Sequence, residues 1–185
     1  MFIQTETTPN PATLKFLPGR TVMDEGVVDI TDADKAAELS PLAARLFAIE
    51  GVSGVYLGKD FISVTKEGAD DWYMLKPALL GAIMEHFMSG DPVLSDGADI
   101  DDGIRVDESD ATVRQIKELI DTRVRPAVAQ DGGDIVFQGF ERGIVYLHMR
   151  GACSGCPSSI VTLKSGIENL LKYYVPEVVE VRAVS

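Results

Sequence analysis

This chain of 185 residues contains only two cysteines. One chain alone therefore cannot supply the four thiolates that an iron–sulfur cluster usually takes. Histidine is equally scarce, with two copies, so no His-rich metal or proton-relay cluster can be assembled. No apolar run approaches the ~20 residues needed to span a bilayer. Basic side chains are also short, at 17 Lys and Arg against 29 Asp and Glu, for a formal net charge of −12. That balance argues against nonspecific nucleic-acid binding, which needs surplus cations to displace counterions. It argues equally against docking on an anionic membrane. The start, Met1-Phe2-Ile3-Gln4-Thr5-Glu6, lacks a basic stretch followed by an apolar core, so no secretory signal is expected. The chain reads as soluble and intracellular: cytoplasmic in a bacterium, or in the mitochondrial matrix if it is a processed mature form.

What is present is an ordinary globular composition, 45% hydrophobic and 25% charged, enough for one large domain or two small ones. The charge is unevenly spread. Residues 91–110 hold eight acidic side chains and one basic one, whereas residues 111–185 are almost balanced. The acidic stretch has no aromatic residue and few large apolar ones, so it reads as a self-repelling linker over 91–108. It separates two small α+β domains, 1–90 and 109–185.

In the first domain, Phe2 to Glu6, Leu14 to Leu17 and Val22 to Ile30 read as strands, with a turn at Pro18-Gly19. Ser40-Pro41 starts a short helix, and Val52 to Leu57 with Phe61 to Lys66 form a hairpin around Gly58-Lys59-Asp60. From Asp71 the spacing of Trp72, Leu75, Leu79, Ile83 and Phe87 predicts a helix with one core face. His86 has no Cys or His neighbour and reads as structural or surface. In the second domain Asp110 caps a helix bearing Val113, Ile116, Ile120 and Val124, which Pro126 is expected to interrupt. Asp131-Gly132-Gly133-Asp134 is a turn. Ile135 to Phe140 and Ile144 to Met149 form a hairpin, a helix carries Ile160 to Leu171, and Val178 to Val184 is the last strand.

Both cysteines lie in Gly151-Ala152-Cys153-Ser154-Gly155-Cys156-Pro157, between that hairpin and that helix. Proline favours the first turn of a helix, which places Cys156 at a helix N-terminus. There, free N–H groups and the positive dipole end stabilise a thiolate. The flanking glycines let the loop bend close to a ligand. The loop is expected to be exposed, with both sulfurs on one side. Three readings follow: two idle buried thiols, a dithiol oxidoreductase, or a metal or iron–sulfur site. The motif lacks the aromatic residue and internal Gly-Pro of thioredoxin-like enzymes. For a metal site, His148 is a conceivable third ligand, although strand alternation can aim it away. Four ligands come most simply from a homodimer in which two chains each give Cys153 and Cys156. A shared centre of that kind suits a carrier. No acid–base or nucleophile–base pair assembles elsewhere, so an enzyme reading has only the dithiol.

Asp131-Gly132-Gly133-Asp134, the hairpin, Gly151-x-Cys153-x-x-Cys156-Pro157-Ser158 and the following helix resemble the NifU-like C-terminal domain of Nfu iron–sulfur scaffold and carrier proteins. Phe2 to Pro11 and Leu14 to Gly19 are similar to the N-terminal domain that accompanies it in one branch of that family. The resemblance implies a [4Fe–4S] cluster, or a [2Fe–2S] form, shared between two subunits and held by Cys153 and Cys156. It implies a non-enzymatic carrier that takes its cluster from an upstream assembly scaffold and passes it to apo client proteins. The Asp131–Asp134 turn is a hallmark of the family, read here as a plain turn. The cysteine-free N-terminal domain is expected to help recognise clients.

Overall fold

The computed structural model describes residues 1–98, 106–154 and 157–184, with the backbone alone for 157–159. The chain divides into two units, Met1–Asp101 and Asp102–Ser185, and both are α+β.

The first unit is built on a five-stranded antiparallel sheet. Its strands are β1 (Gln4–Thr7), β2 (Thr13–Leu17), β3 (Val28–Ile30), β4 (Val52–Leu57) and β5 (Ile62–Lys66), in the order β1-β2-β5-β4-β3. Helices α1 (Ala33–Leu39), α2 (Pro41–Phe47) and α3 (Trp72–Ser89) complete it. Phe16, Ile30, Leu42, Leu46, Leu57, Ile62, Leu79 and Ile83 are fully buried in one core. Ser40 caps α2 as expected, its hydroxyl accepting the Ala43 N–H, and Asp71 caps α3 through the Tyr73 N–H.

Two expectations change here. The strand predicted over Val22 to Ile30 is a strand only from Val28. Gly19, at φ +74°, turns the chain off the sheet, and the Val22 and Met23 N–H groups both bond the Lys59 carbonyl at the tip of the β4–β5 hairpin. The segment thus caps that hairpin, and β3 then pairs with β4. Helix α1 was also not anticipated, although Asp32 caps it through the Asp34 N–H.

The acidic stretch begins with ordered contacts. Ser95 N–H bonds the Leu39 carbonyl at 2.8 Å, Ser40 Oγ donates to the Val93 carbonyl, and Val93 and Leu94 pack on the first core. Two apolar residues suffice for this despite the surrounding charge. At its other end Val106 packs on the second core, and Glu108 pairs with Lys117. The centre of the expected linker, 99–105, lies outside the described residues.

The second unit runs α4 (Ala111–Leu119), a π-helical turn (Ile120–Val124), α5 (Arg125–Gln130), β6 (Gly133–Glu141), β7 (Ile144–Gly151), α6 (Pro157–Tyr174) and β8 (Glu180–Val184). Strand β7 is central, antiparallel to β6 and parallel to β8. Ile135, Phe137, Val145, Leu147, Met149 and Val181 share a core with Ile116, Ile120, Val124, Ile167 and Leu171 from the helices, so the helices cover one face of the sheet. Pro126 does not end the first helix. Arg125 N–H bonds the Ile120 carbonyl five residues back, and this wider turn absorbs the proline that cannot donate.

Candidate metal centre

Strand β7 ends at Gly151 with φ +60°, a conformation that favours glycine. Three backbone bonds hold the turn that follows: Ala152 N–H to Gly132 O at 3.2 Å, Cys153 N–H to Arg150 O at 3.2 Å, and Ser154 N–H to Gly151 O at 3.1 Å. They fold Cys153 inward. Its side chain is 7% exposed and belongs to the apolar core. This corrects the expectation that the loop exposes the Cys153 sulfur. Helix α6 begins at Pro157, where the proline signal placed it. Cys156, the other predicted ligand, lies outside the described residues.

The Asp131–Asp134 turn has a role that sequence reasoning missed. Gly133 faces the cysteine so closely that a Cβ there would overlap Cys153 Sγ and stand 2.9 Å from its backbone nitrogen. Only a residue without a side chain leaves room for the thiol. Gly132, at φ +78°, makes the preceding turn and offers its carbonyl to Ala152. Asp134 is 4% exposed and is held bidentately by Arg125, Nε to Oδ1 at 2.9 Å and Nη2 to Oδ2 at 3.1 Å. Asp121 touches the same guanidinium at 3.5 Å. Nine residues separate Arg125 from Asp134 in sequence, and no motif spacing marks that pairing.

These surroundings act on the thiol. Burial pushes the Cys153 pKa up to about 12, the carboxylates of Asp134 and Asp131 push the same way, and the Asp134 backbone N–H pulls back weakly. As folded, Cys153 is a protonated thiol in the core. His148 pairs with Val136 and Val184 along the sheet. It alternates with Leu147 and Met149, which face the core, so it lies on the opposite face of β7 from Cys153. Its buried Nδ1 has no hydrogen-bond partner among the described residues. Among the described residues, no three His, Cys, Asp or Glu side chains come together as a metal-binding group.

Two family descriptions match this chain. One, scaffold protein Nfu/NifU N terminal, matches residues 3–90. The other, NifU-like domain, matches residues 116–182. Over 184 residues, the chain is 51% identical to a protein of Drosophila sechellia named "NFU1 iron-sulfur cluster scaffold homolog, mitochondrial", covering 100% of this chain and 65% of that one. A protein of the same name from Drosophila virilis is also 51% identical, with 62% of its length covered. The chain thus spans just under two thirds of the curated relatives it matches. A solution structure of a NifU-like protein from Saccharomyces cerevisiae is 27% identical with a TM-score of 0.46, covering 51% of this chain and 85% of that one.

Proposed function

The chain belongs to the Nfu family of iron–sulfur cluster scaffold proteins, and from that premise we propose that it carries such a cluster to apo client proteins. The cluster is cargo, received from an upstream assembly scaffold and held between two copies of the chain by Cys153 and Cys156 of each. Four thiolates suit a [4Fe–4S] cluster, with [2Fe–2S] as the smaller alternative. The observation that carries this reading is the single cysteine pair of each chain, set between β7 and α6 in the domain that matches the NifU-like family.

The Cys153 thiol is sheathed against Gly133 and kept protonated. To bind cargo, the turn from Gly151 to Ser154 swings out and the sulfur gives up its proton. Release reverses both steps. No step requires enzymatic turnover. The relatives are named mitochondrial, which favours a mitochondrial over a bacterial cytoplasmic location for this chain.

Anaerobic reconstitution with iron and sulfide, followed by absorption spectroscopy and sizing, tests this. The expected product is a brown dimer with about four irons per pair of chains, lost in both Cys153→Ala and Cys156→Ala. A colourless monomer that reduces insulin would establish the dithiol reading instead, and a cluster retained in either variant would remove that cysteine from the ligand set.

A further inference from the structure

Helix α3 has two apolar faces, and the core of its unit uses one. Leu75, Leu79 and Ile83 are buried. Yet Tyr73 is 83% exposed, Met74 73%, Met84 36% and Met88 76%. At 100° per residue these four side chains fall within a single arc, which Pro77, Ala78 and Gly81 share. The only charge on that arc is Glu85. A helix that is apolar all round is normally covered on every side, and contiguous exposed apolar surface marks an interaction site.

Gly81 lies at the centre of the arc. A Cβ there would meet nothing within 4 Å, so the unit's own packing does not call for glycine. Glycine inside a helix destabilises it relative to alanine. What it provides here is a shallow saddle, with Tyr73 and Met74 at one end and Met84 and Met88 at the other, some 22 Å along the helix. Such a saddle admits the close approach of another backbone. The charge around it selects the occupant. Residues 1–98 carry seven Lys and Arg against fifteen Asp and Glu; Asp70 and Asp71 precede α3, while Glu85 and Asp91 at its far end share Arg45. A second copy would set two such acidic bodies face to face, and an anionic membrane would be repelled.

The geometry points to a docking site on the outer face of α3 for a basic amphipathic helix of a partner protein, seated across Gly81 with its apolar side down. The site belongs to the cysteine-free unit and does not depend on the cluster reading.

The test uses the full chain and two synthetic 18-residue amphipathic peptides with the same leucine face, one with a lysine polar face and one with a glutamate polar face. Fluorescence anisotropy gives affinity, and amide chemical shifts locate binding. The lysine peptide is expected to bind one to one, to shift amides along 73–88, and to bind at least tenfold tighter than the glutamate peptide. Gly81→Leu, which the open space tolerates, is expected to weaken it at least tenfold with no loss of thermal stability. Met88→Lys is expected to do the same through repulsion. Binding that is unchanged or tightened by Gly81→Leu would reveal generic stickiness and overturn the proposal. So would equal affinity for both peptides, shifts elsewhere on the chain, or a chain dimer in sedimentation that Gly81→Leu disperses.

Discussion

Thiol alkylation reads the sheathed state of Cys153 directly. With a pKa of about 12 against an ordinary 9.0, the thiolate fraction near pH 8 falls by roughly a thousandfold. The more basic thiolate is intrinsically more nucleophilic, by about 20-fold at a Brønsted slope near 0.45. Cys153 in the native chain should therefore react with iodoacetamide about 40-fold more slowly than in the urea-unfolded chain, before hindered access slows it further. Gly133→Ala removes the protection. The new methyl overlaps Sγ and lies 2.9 Å from Cys153 N and 3.2 Å from Arg150 O. Backbone atoms cannot give way as a side chain can, so the cysteine turn must move, at a cost of about 1–3 kcal/mol. Peptide mass spectrometry over a labelling time course distinguishes Cys153 from Cys156, and denaturant unfolding gives the stability change. Faster Cys153 labelling together with lower stability is expected. Native Cys153 reacting as fast as the unfolded chain would refute the reasoning, as would a Gly133→Ala variant with unaltered labelling and stability.

Three further outcomes follow from the same structure. Because the folded pKa of Cys153 is raised, its contribution is complete below about pH 9 and lost as pH climbs toward 12. The stability of the native chain relative to Cys153→Ala should thus fall by about 1.4 kcal/mol per pH unit across that window, measured by urea unfolding. Arg125→Ala leaves the buried Asp134 carboxylate without its bidentate partner, which should cost about 3 kcal/mol in denaturant unfolding, with a smaller loss for Arg125→Lys. His86 is fully buried, and its pKa is lowered first by burial and then by Arg45, against the pull of Asp91 and Pro92. Its neutral form therefore supports the first unit above pH 6.5, and that support is lost as pH falls below it. His86→Leu should flatten the fall in thermal stability of that unit as pH drops below 6.5.

Periodicity and capping made much of the fold legible. Asp71 before Trp72, and Ser40 before Pro41, marked helices that form where the caps place them, because a helix start is a local problem of orphan N–H groups. The hairpins β4–β5 and β6–β7 were equally legible, since a turn between two alternating runs sets its own register. The Val22 to Ile30 segment misled because its apolar run satisfies its N–H groups at the Lys59 carbonyl, a partner remote in sequence. Pro126 misled because a π-helical turn, written in no single residue, accommodates it.

The chemistry on offer was already written in the chain: two thiols three residues apart, a glycine-rich approach, a helix start at Pro157, and too few ligands in one chain. Those are properties of residue type and spacing. The state of the first thiol came from folding, because burial, the Gly133 cradle and the Arg125-held carboxylate of Asp134 are contributed by segments distant in the chain. A pKa depends on what surrounds a group in three dimensions. The same division holds for α3, whose spacing announced an inner face, while the uncovered outer face emerged only once the unit's other elements were seen not to pack on it.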